Sequence, residues 1–242
     1  MSFIRAAQLL GPEEGEERRG HPWDLPVTRA LAEGLSLHPK VTYLVGENGT
    51  GKSTLLEALA VAAGLNPEGG SRNFAFSTRD SHSPLGEAVR LVRGAARPRT
   101  DFFLRAESVF TAATYLEGLP DGPLDVYGGR SLHEQSHGES FLAIMLHRFG
   151  PGGLYLLDEP EAALSAQNCL TFLRRMHELV EEGSQFVVAT HSPLVLAYPD
   201  ATIYACTDGG VEEVAYDDVE AVGLTRAFLQ APERFLRGLL ED

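Results

Sequence analysis

Val41-Thr42-Tyr43-Leu44-Val45-Gly46-Glu47-Asn48-Gly49-Thr50-Gly51-Lys52-Ser53-Thr54-Leu55-Leu56-Glu57-Ala58-Leu59-Ala60 carries the reading that decides the fold. Its first five residues are β-branched or apolar and predict a buried strand. Gly46 through Ser53 fit G-x-x-x-x-G-K-[ST], the phosphate-binding loop pattern. An apolar helix pattern follows from Lys52 onward. Glycines at 46, 49 and 51 let the loop wrap closely and reach positive φ. Successive N–H groups from Gly46, Glu47, Asn48, Gly49, Thr50 and Gly51 can then cradle phosphate oxygens, backed by a helix N-terminus. Lys52 would neutralise the β- and γ-phosphates. Ser53 would place its hydroxyl on Mg²⁺, with Thr54 beside it. A glycine turn that merely contained Lys-Ser would lack the strand before it and the helix after it.

The loop sits in a chain of 242 residues, enough for one large domain or a domain with a subdomain. Hydrophobic residues make up 43%, so a sizeable core can form. The formal charge of −14, from 20 Lys and Arg against 34 Asp and Glu, disfavours a generally basic nucleic-acid surface. Arg90, Arg93, Arg97 and Arg99 cluster in sequence and leave a local basic patch for nucleic acid open, but are read in preference as a solvated helix face and loop. Cys169 and Cys206 lie far apart without metal-ligand spacing, as expected of reduced thiols in a cytoplasmic protein. The N-terminus lacks a secretory pattern, and no apolar run reaches bilayer-spanning length. Any membrane association is therefore expected through another subunit, not by direct insertion.

Outward from the loop, strands alternate with helices, which predicts an α/β fold with a largely parallel sheet. We expect strands at 2–10, 35–38, 41–45, 74–77, 101–105, 154–158, 185–189, 201–206 and 211–215. Helices are expected at 27–33, 52–63, 84–93, from about 108, 139–149, 165–182, 217–229 and 232–240, with a glycine- and proline-rich loop over 118–131.

Leu154-Tyr155-Leu156-Leu157-Asp158-Glu159-Pro160 is the second signal. An apolar strand ends in two carboxylates, at the strand end where open α/β sheets bind ligands. Asp158 would bind Mg²⁺, directly or through water, and Glu159 would orient and polarise an attacking water. Adjacent acids also favour a helix start, but the upstream loop gives them a phosphate to serve. Thr190-His191-Ser192-Pro193 follows the strand Gln185-Phe186-Val187-Val188-Ala189. There His191 can hydrogen-bond a γ-phosphate or hold the water. Gln135-Ser136-His137-Gly138-Glu139-Ser140 precedes another helix. Ser136 with Glu139 forms a capping box, and the same helix tip can hold an anion. His133-Glu134-Gln135-Ser136-His137 matches the zinc-protease pattern H-E-x-x-H. Gly138 and Gly128-Gly129 deny it a continuous helix, and no third-ligand motif is evident.

The order of these parts resembles the ABC-type ATPases, from about residue 41 to 193. Ser136 stands 22 positions before Asp158, which stands 33 before His191. The match is closer to stand-alone "AAA family" bacterial ATPases related to the heads of SMC-type and repair proteins. About eighty residues separate Thr54 from Ser136, leaving no room for their coiled coil.

The resemblance implies a P-loop NTPase fold with N-terminal antiparallel strands and a small helical subdomain. It implies one domain over 1–242, with a nucleotide lobe at 1–78 and 150–242 and a helical signature subdomain at about 79–149. It also implies ATP and Mg²⁺ as ligands, hydrolysis to ADP and phosphate, and a head-to-tail, ATP-dependent homodimer. In that dimer Ser136 and Gly138 would contact ATP in trans, Ala162-Ala163-Leu164-Ser165 would cross the interface, and His191 would be the switch histidine. An unidentified effector in genome maintenance or defence is the expected partner. A transporter subunit and a nucleotide-gated module with little turnover are the alternatives. His137 and Glu139 replace residues common in transporter signatures, Ser165 stands where Asp is common, and no glutamine follows Phe102-Phe103-Leu104. Glu107 is the nearest substitute for that glutamine.

Overall fold

The computed structural model describes residues 2–15, 17–67, 69–70, 83–105 and 136–240. Its centre is a six-stranded sheet in the order β5-β6-β7-β3-β8-β9. These strands are β3 (Val41–Val45), β5 (Thr100–Arg105), β6 (Gly153–Asp158), β7 (Gln185–Ala189), β8 (Ala201–Thr207) and β9 (Gly210–Val214). The first five in that order run parallel, and β9 closes the far edge as the antiparallel partner of β8. Every residue of β3, β6 and β7 is buried. Strands covered on both faces read as continuous apolar runs, and these three do.

Side-chain alternation divides the core in two. Tyr43, Tyr155, Leu157, Phe186 and Val188 point to one face, under helices α3 (His137–Arg148) and α4 (Ala166–Glu181). Leu44, Leu154, Leu156 and Val187 point to the other. There they meet α1 (Pro26–Glu33) and α2 (Lys52–Ala63). A three-stranded antiparallel sheet, in the order β2-β1-β4, covers this second side. It comprises β1 (Ile4–Leu9), β2 (Leu35–Ser36) and β4 (Val89–Arg93). The short helix α5 (Pro193–Leu196), then α6 (Glu220–Gln230) and α7 (Pro232–Leu240), complete the described elements.

Gln185 fastens the small sheet to the large one. Its Oε1 accepts from the N–H groups of Phe3 (2.9 Å) and Ile4 (3.0 Å), and its Nε2 donates to the carbonyls of Ile4 (2.8 Å) and His38 (2.9 Å). The side chain is fully buried, and these partners satisfy it.

The expected helix over 84–93 is a correction. Pro84–Gly86 form a single 3₁₀ turn, and Val89–Arg93 are a strand paired with β1. Val89-Arg90-Leu91-Val92-Arg93 suits a pleated, half-covered surface better than its helix-forming neighbours suggested. Arg90 and Arg93 therefore lie on a strand, Arg90 donating to Gln8 Oε1 at 2.7 Å. Within the stretch assigned to a helical subdomain, the described residues supply β4 and β5 to the two sheets and one α-helix, α3. The strand expected at 74–77, the helix from 108 and the loop over 118–131 lie outside the described residues, as do Glu107, His133 and Glu134.

Candidate functional site

The C-terminal ends of β3, β6 and β7 face the same side of the sheet, and the loop after β3 lies above them. Gly46 leaves β3 with φ 141°, and a Cβ there would stand 2.1 Å from the Cys206 carbonyl oxygen on β8. Only glycine fits that approach. Burial against the loop pushes the Cys206 thiol up to about 11. Gly51 caps α2 with φ 93°, pressed against Val27 and Leu25 of the preceding segment. Thr50 Oγ1 donates to the Glu47 carbonyl at 2.9 Å, closing the turn.

Lys52, 4% exposed, donates to the carbonyls of Gly46 (2.7 Å) and Glu47 (2.8 Å). Desolvation holds its ammonium below the usual lysine range, and nearby acids oppose that shift. The next residue, Ser53, donates from Oγ to Asp158 Oδ1 at 3.0 Å. Asp158 is 6% exposed and ends β6. A hydroxyl and a carboxylate brought together beside a phosphate loop are hard oxygen donors of the kind Mg²⁺ takes.

The other Asp158 oxygen meets a residue not singled out in the sequence. Arg105 ends β5, in register with Asp158. Its Nε lies 3.4 Å from Asp158 Oδ2, and its NH1 3.2 Å from Glu57 Oε2 on α2. The sequence signal was a charge closing the apolar run Phe102-Phe103-Leu104, just as Asp158 closes its own.

Glu159 follows with φ 51° and ψ 52°, a left-handed backbone that non-glycine residues adopt only when the surroundings enforce it. Its N–H donates to the Ala189 carbonyl at 2.9 Å, tying this turn to the end of β7. The carboxylate stands 3.5 Å from His191 Nε2. Glu161 sets the histidine's backbone, since its Oε1 accepts from the N–H groups of both His191 and Ser192. His191 Nε2 and Glu161 Oε2 are shielded from water and hydrogen-bond to nothing among the described residues. Glu47, Asn48, Glu159 and His191 border an open cleft of about 540 Å³.

The structure thus brings Lys52, Ser53 and Asp158 together, and Glu159 with His191. Ser136 and Gly138 lie elsewhere, at the start of α3. Ser136 N donates to Glu139 Oε2 at 2.9 Å, and Glu139 N donates back to Ser136 Oγ at 3.4 Å, completing the capping box. A Cβ on Gly138 would stand 2.5 Å from the Ala163 carbonyl oxygen. The glycine therefore has a packing reason of its own, against the turn Pro160–Ala163. Ser165 N-caps α4, accepting from Asn168 N at 3.2 Å. Phe3 and Tyr43 are buried in the core and offer no ring face to a nucleotide base. The Arg18 guanidinium lies 4.6 Å from the Trp23 ring centroid. Among the described residues no group of three or more His, Cys, Asp or Glu could hold a metal ion by itself, and no helix is long and apolar enough to cross a membrane.

Residues 118–197 match the family described as "AAA domain, putative AbiEii toxin, Type IV TA system", and residues 32–96 match a second AAA domain family. The chain is similar to the cytochrome c biogenesis ATP-binding export protein CcmA of Rhodopseudomonas palustris, at 31% identity over 165 residues. That match covers 62% of this chain and 78% of the relative. The ribose import ATP-binding protein RbsA of Burkholderia pseudomallei is 28% identical over 72% of this chain, which spans 38% of that longer protein. In fold the chain is similar to cbiO1 of Clostridium perfringens, part of the ABC transporter complex cbiONQ. The TM-score is 0.50 at 16% identity, covering 97% of this chain and 98% of the other. A phosphate loop, an acidic strand end and a strand-end histidine stand on one edge of a mostly parallel sheet, and a relative shares nearly a third of its residues over most of its length; the chain belongs to the ABC-type ATPases.

Proposed function

We propose that this protein binds ATP on the loop from Gly46 to Thr54 and hydrolyses it with Glu159 and His191, in a site completed by a second copy of the chain. One observation carries the reading: the Ser53 hydroxyl is already hydrogen-bonded to Asp158 at 3.0 Å, directly beside the buried Lys52. Ser53 and Asp158 would hold Mg²⁺, which when bound supplies positive charge at the β- and γ-phosphates. The backbone N–H groups of the loop orient the triphosphate. Lys52 exchanges its two carbonyl partners for phosphate oxygens and stabilises the charge that builds in the transition state. Glu159 accepts a hydrogen bond from the attacking water and aims it in line with the leaving group. His191, fixed through its backbone by Glu161, steadies that water or the γ-phosphate with its ring.

Nothing in one copy caps the cleft beside Glu159 and His191 among the described contacts. Ser136 and Gly138 present a helix N-terminus with a hydroxyl, a good anion site when offered by a twin. We therefore read the active form as a head-to-tail homodimer, with Ala162 to Ser165 at the contact. The match to a family described by a toxin supports an effector in genome maintenance or defence as the target of ATP-driven pairing. The likeness to CcmA favours a second reading, the ATPase subunit of an ABC membrane transporter. Co-purification separates the two, a soluble effector supporting the first and a multi-span membrane protein the second.

The enzymatic proposal is tested with Glu159→Gln. Turnover should fall by about 100-fold or more while ATP binding persists, and gel filtration with ATP should show a trapped dimer. The wild-type rate should rise as the square of protein concentration at low concentration. A strictly monomeric variant together with a linear wild-type rate would reject trans completion.

A further inference from the structure

Asp158 has a cation of the chain's own beside it. β5 and β6 run parallel with Arg105 opposite Asp158, each the last residue of its strand. Paired positions share a face of the sheet, so the two side chains rise together at the edge that carries the phosphate loop. Arg105 reaches Asp158 Oδ2 with Nε and Glu57 Oε2 with NH1. Glu57 stands one helical turn beyond Ser53 on α2, and Ser53 donates to Asp158 Oδ1. Four side chains therefore close a ring: serine to carboxylate, carboxylate to guanidinium, guanidinium to a second carboxylate on the serine's own helix. The Arg105, Glu57 and Asp158 side chains are 23%, 16% and 7% exposed, so solvent screens their charges weakly. Glu57 is fixed from the other side as well, its Oε1 accepting from Ser83 N at 3.0 Å.

We propose that Arg105 sets how strongly this site takes up its divalent cation. The guanidinium turns the Asp158 carboxylate toward Ser53 and opposes an incoming positive charge. Glu57 anchors the guanidinium and offsets that opposition. Arg105 acts through Asp158 and is a positioning residue. The inference rests on the reading of Ser53 and Asp158 as the cation's oxygens. The sign of the effect distinguishes it from a merely structural ion pair. Removing either member of a structural pair loosens the site in the same direction, whereas here removing the positive member strengthens cation uptake and removing the negative member weakens it.

The experiment uses the full-length chain, a fluorescent N-methylanthraniloyl derivative of ATP, and magnesium chloride titrated into chelator-stripped buffer. Two quantities are read: nucleotide affinity in EDTA, and the Mg²⁺ concentration giving half of the metal-dependent signal. Arg105→Gln should lower that concentration by about tenfold and leave the EDTA affinity within about threefold, the scale on which groups behind a metal's ligands act. Glu57→Gln, which keeps the acceptor for Ser83, should raise it. Arg105→Lys should stay within about threefold of wild type, since the charge is retained. Shifts of Arg105→Gln and Glu57→Gln in the same direction would overturn the proposal. So would a tenfold loss of EDTA affinity in Arg105→Gln, which would make the guanidinium a phosphate ligand. Should Arg105→Gln fail to fold, an unmoved Mg²⁺ midpoint in Glu57→Gln overturns the proposal by itself. If the wild-type chain binds the nucleotide with no response to Mg²⁺, the underlying reading of Ser53 and Asp158 fails first.

Discussion

The two ends of β7 hold buried polar groups of opposite character. At its start, Gln185 spends its amide on the N–H groups of Phe3 and Ile4 and the carbonyls of Ile4 and His38. Past its end, His191 Nε2 and Glu161 Oε2 are shielded from water and unsatisfied among the described residues. Glu159 beside them holds a left-handed backbone. An unmet buried polar group costs about 1–3 kcal/mol, so folding alone does not favour such an arrangement. The two ends differ on one five-residue strand: the first is complete within the chain, and the second leaves hydrogen-bonding capacity unmet among the described residues.

Lys52→Ala should test the second end with the largest effect. Loss of the only ammonium in the loop should lower ATP turnover by about three orders of magnitude, as removal of a transition-state donor does. Stability should change little, by about 1 kcal/mol or less, because the two lost carbonyl bonds are offset by relief of a desolvated charge. Steady-state hydrolysis and urea unfolding of the same sample check both halves. A large loss of stability would mean that the lysine belongs to the closed kind of polar group.

Gln185→Leu should give the mirror result. The leucine removes the acceptor of the Phe3 and Ile4 N–H groups and the amide donor to the Ile4 and His38 carbonyls, at a cost of about 3 kcal/mol. Nucleotide affinity of the folded fraction should be unchanged, because the amide lies at the far end of the strand from the phosphate loop. Urea midpoints paired with nucleotide titration decide it. Weakened affinity at full folding would show that the two ends are coupled through the sheet.

These residues also show why only part of the site could be read from the chain. The phosphate loop, the Asp158-Glu159 pair and His191 each sit in a local pattern, an apolar run followed by a turn, so a short window contains both the residue and its setting. The capping box at Ser136 is legible for the same reason and has the expected bonds. Arg105 is different. Its meaning depends on β5 lying beside β6, although the two residues stand 53 positions apart, and no periodicity states which strands are neighbours. Gln185 reads as one polar residue before a β-branched run, and only the second sheet reveals its partners. The error over 84–93 has the same source: Glu87 and Ala88 suit a helix, but pairing of Val89–Arg93 with β1 decides the conformation.

Tyr155 offers the smallest and most selective test, because it belongs to the closed end yet titrates. Its hydroxyl donates to the Gly150 carbonyl and accepts from the Gly150 N–H, each at 2.7 Å, and its ring stacks on Phe149 with centroids 4.1 Å apart. Burial pushes the phenol up to about 12, above the value near 10 of an unfolded tyrosine. The folded chain therefore keeps a proton that the unfolded chain gives up. This contribution to stability is complete below pH 10 and is lost as pH rises toward 12. Tyr155→Phe should cost about 1 kcal/mol at neutral pH through the two lost hydrogen bonds. The gap from wild type should narrow between about pH 10 and 12, since only the wild type still has this phenol to ionise. Tyr43, also raised by burial, is present in both proteins and cancels from the difference. Guanidinium unfolding of the pair at pH 8 and pH 11 measures the gap directly. A gap that stays constant would mean that Tyr155 ionises alike in both states, and the start of β6 would then be less closed than the start of β7.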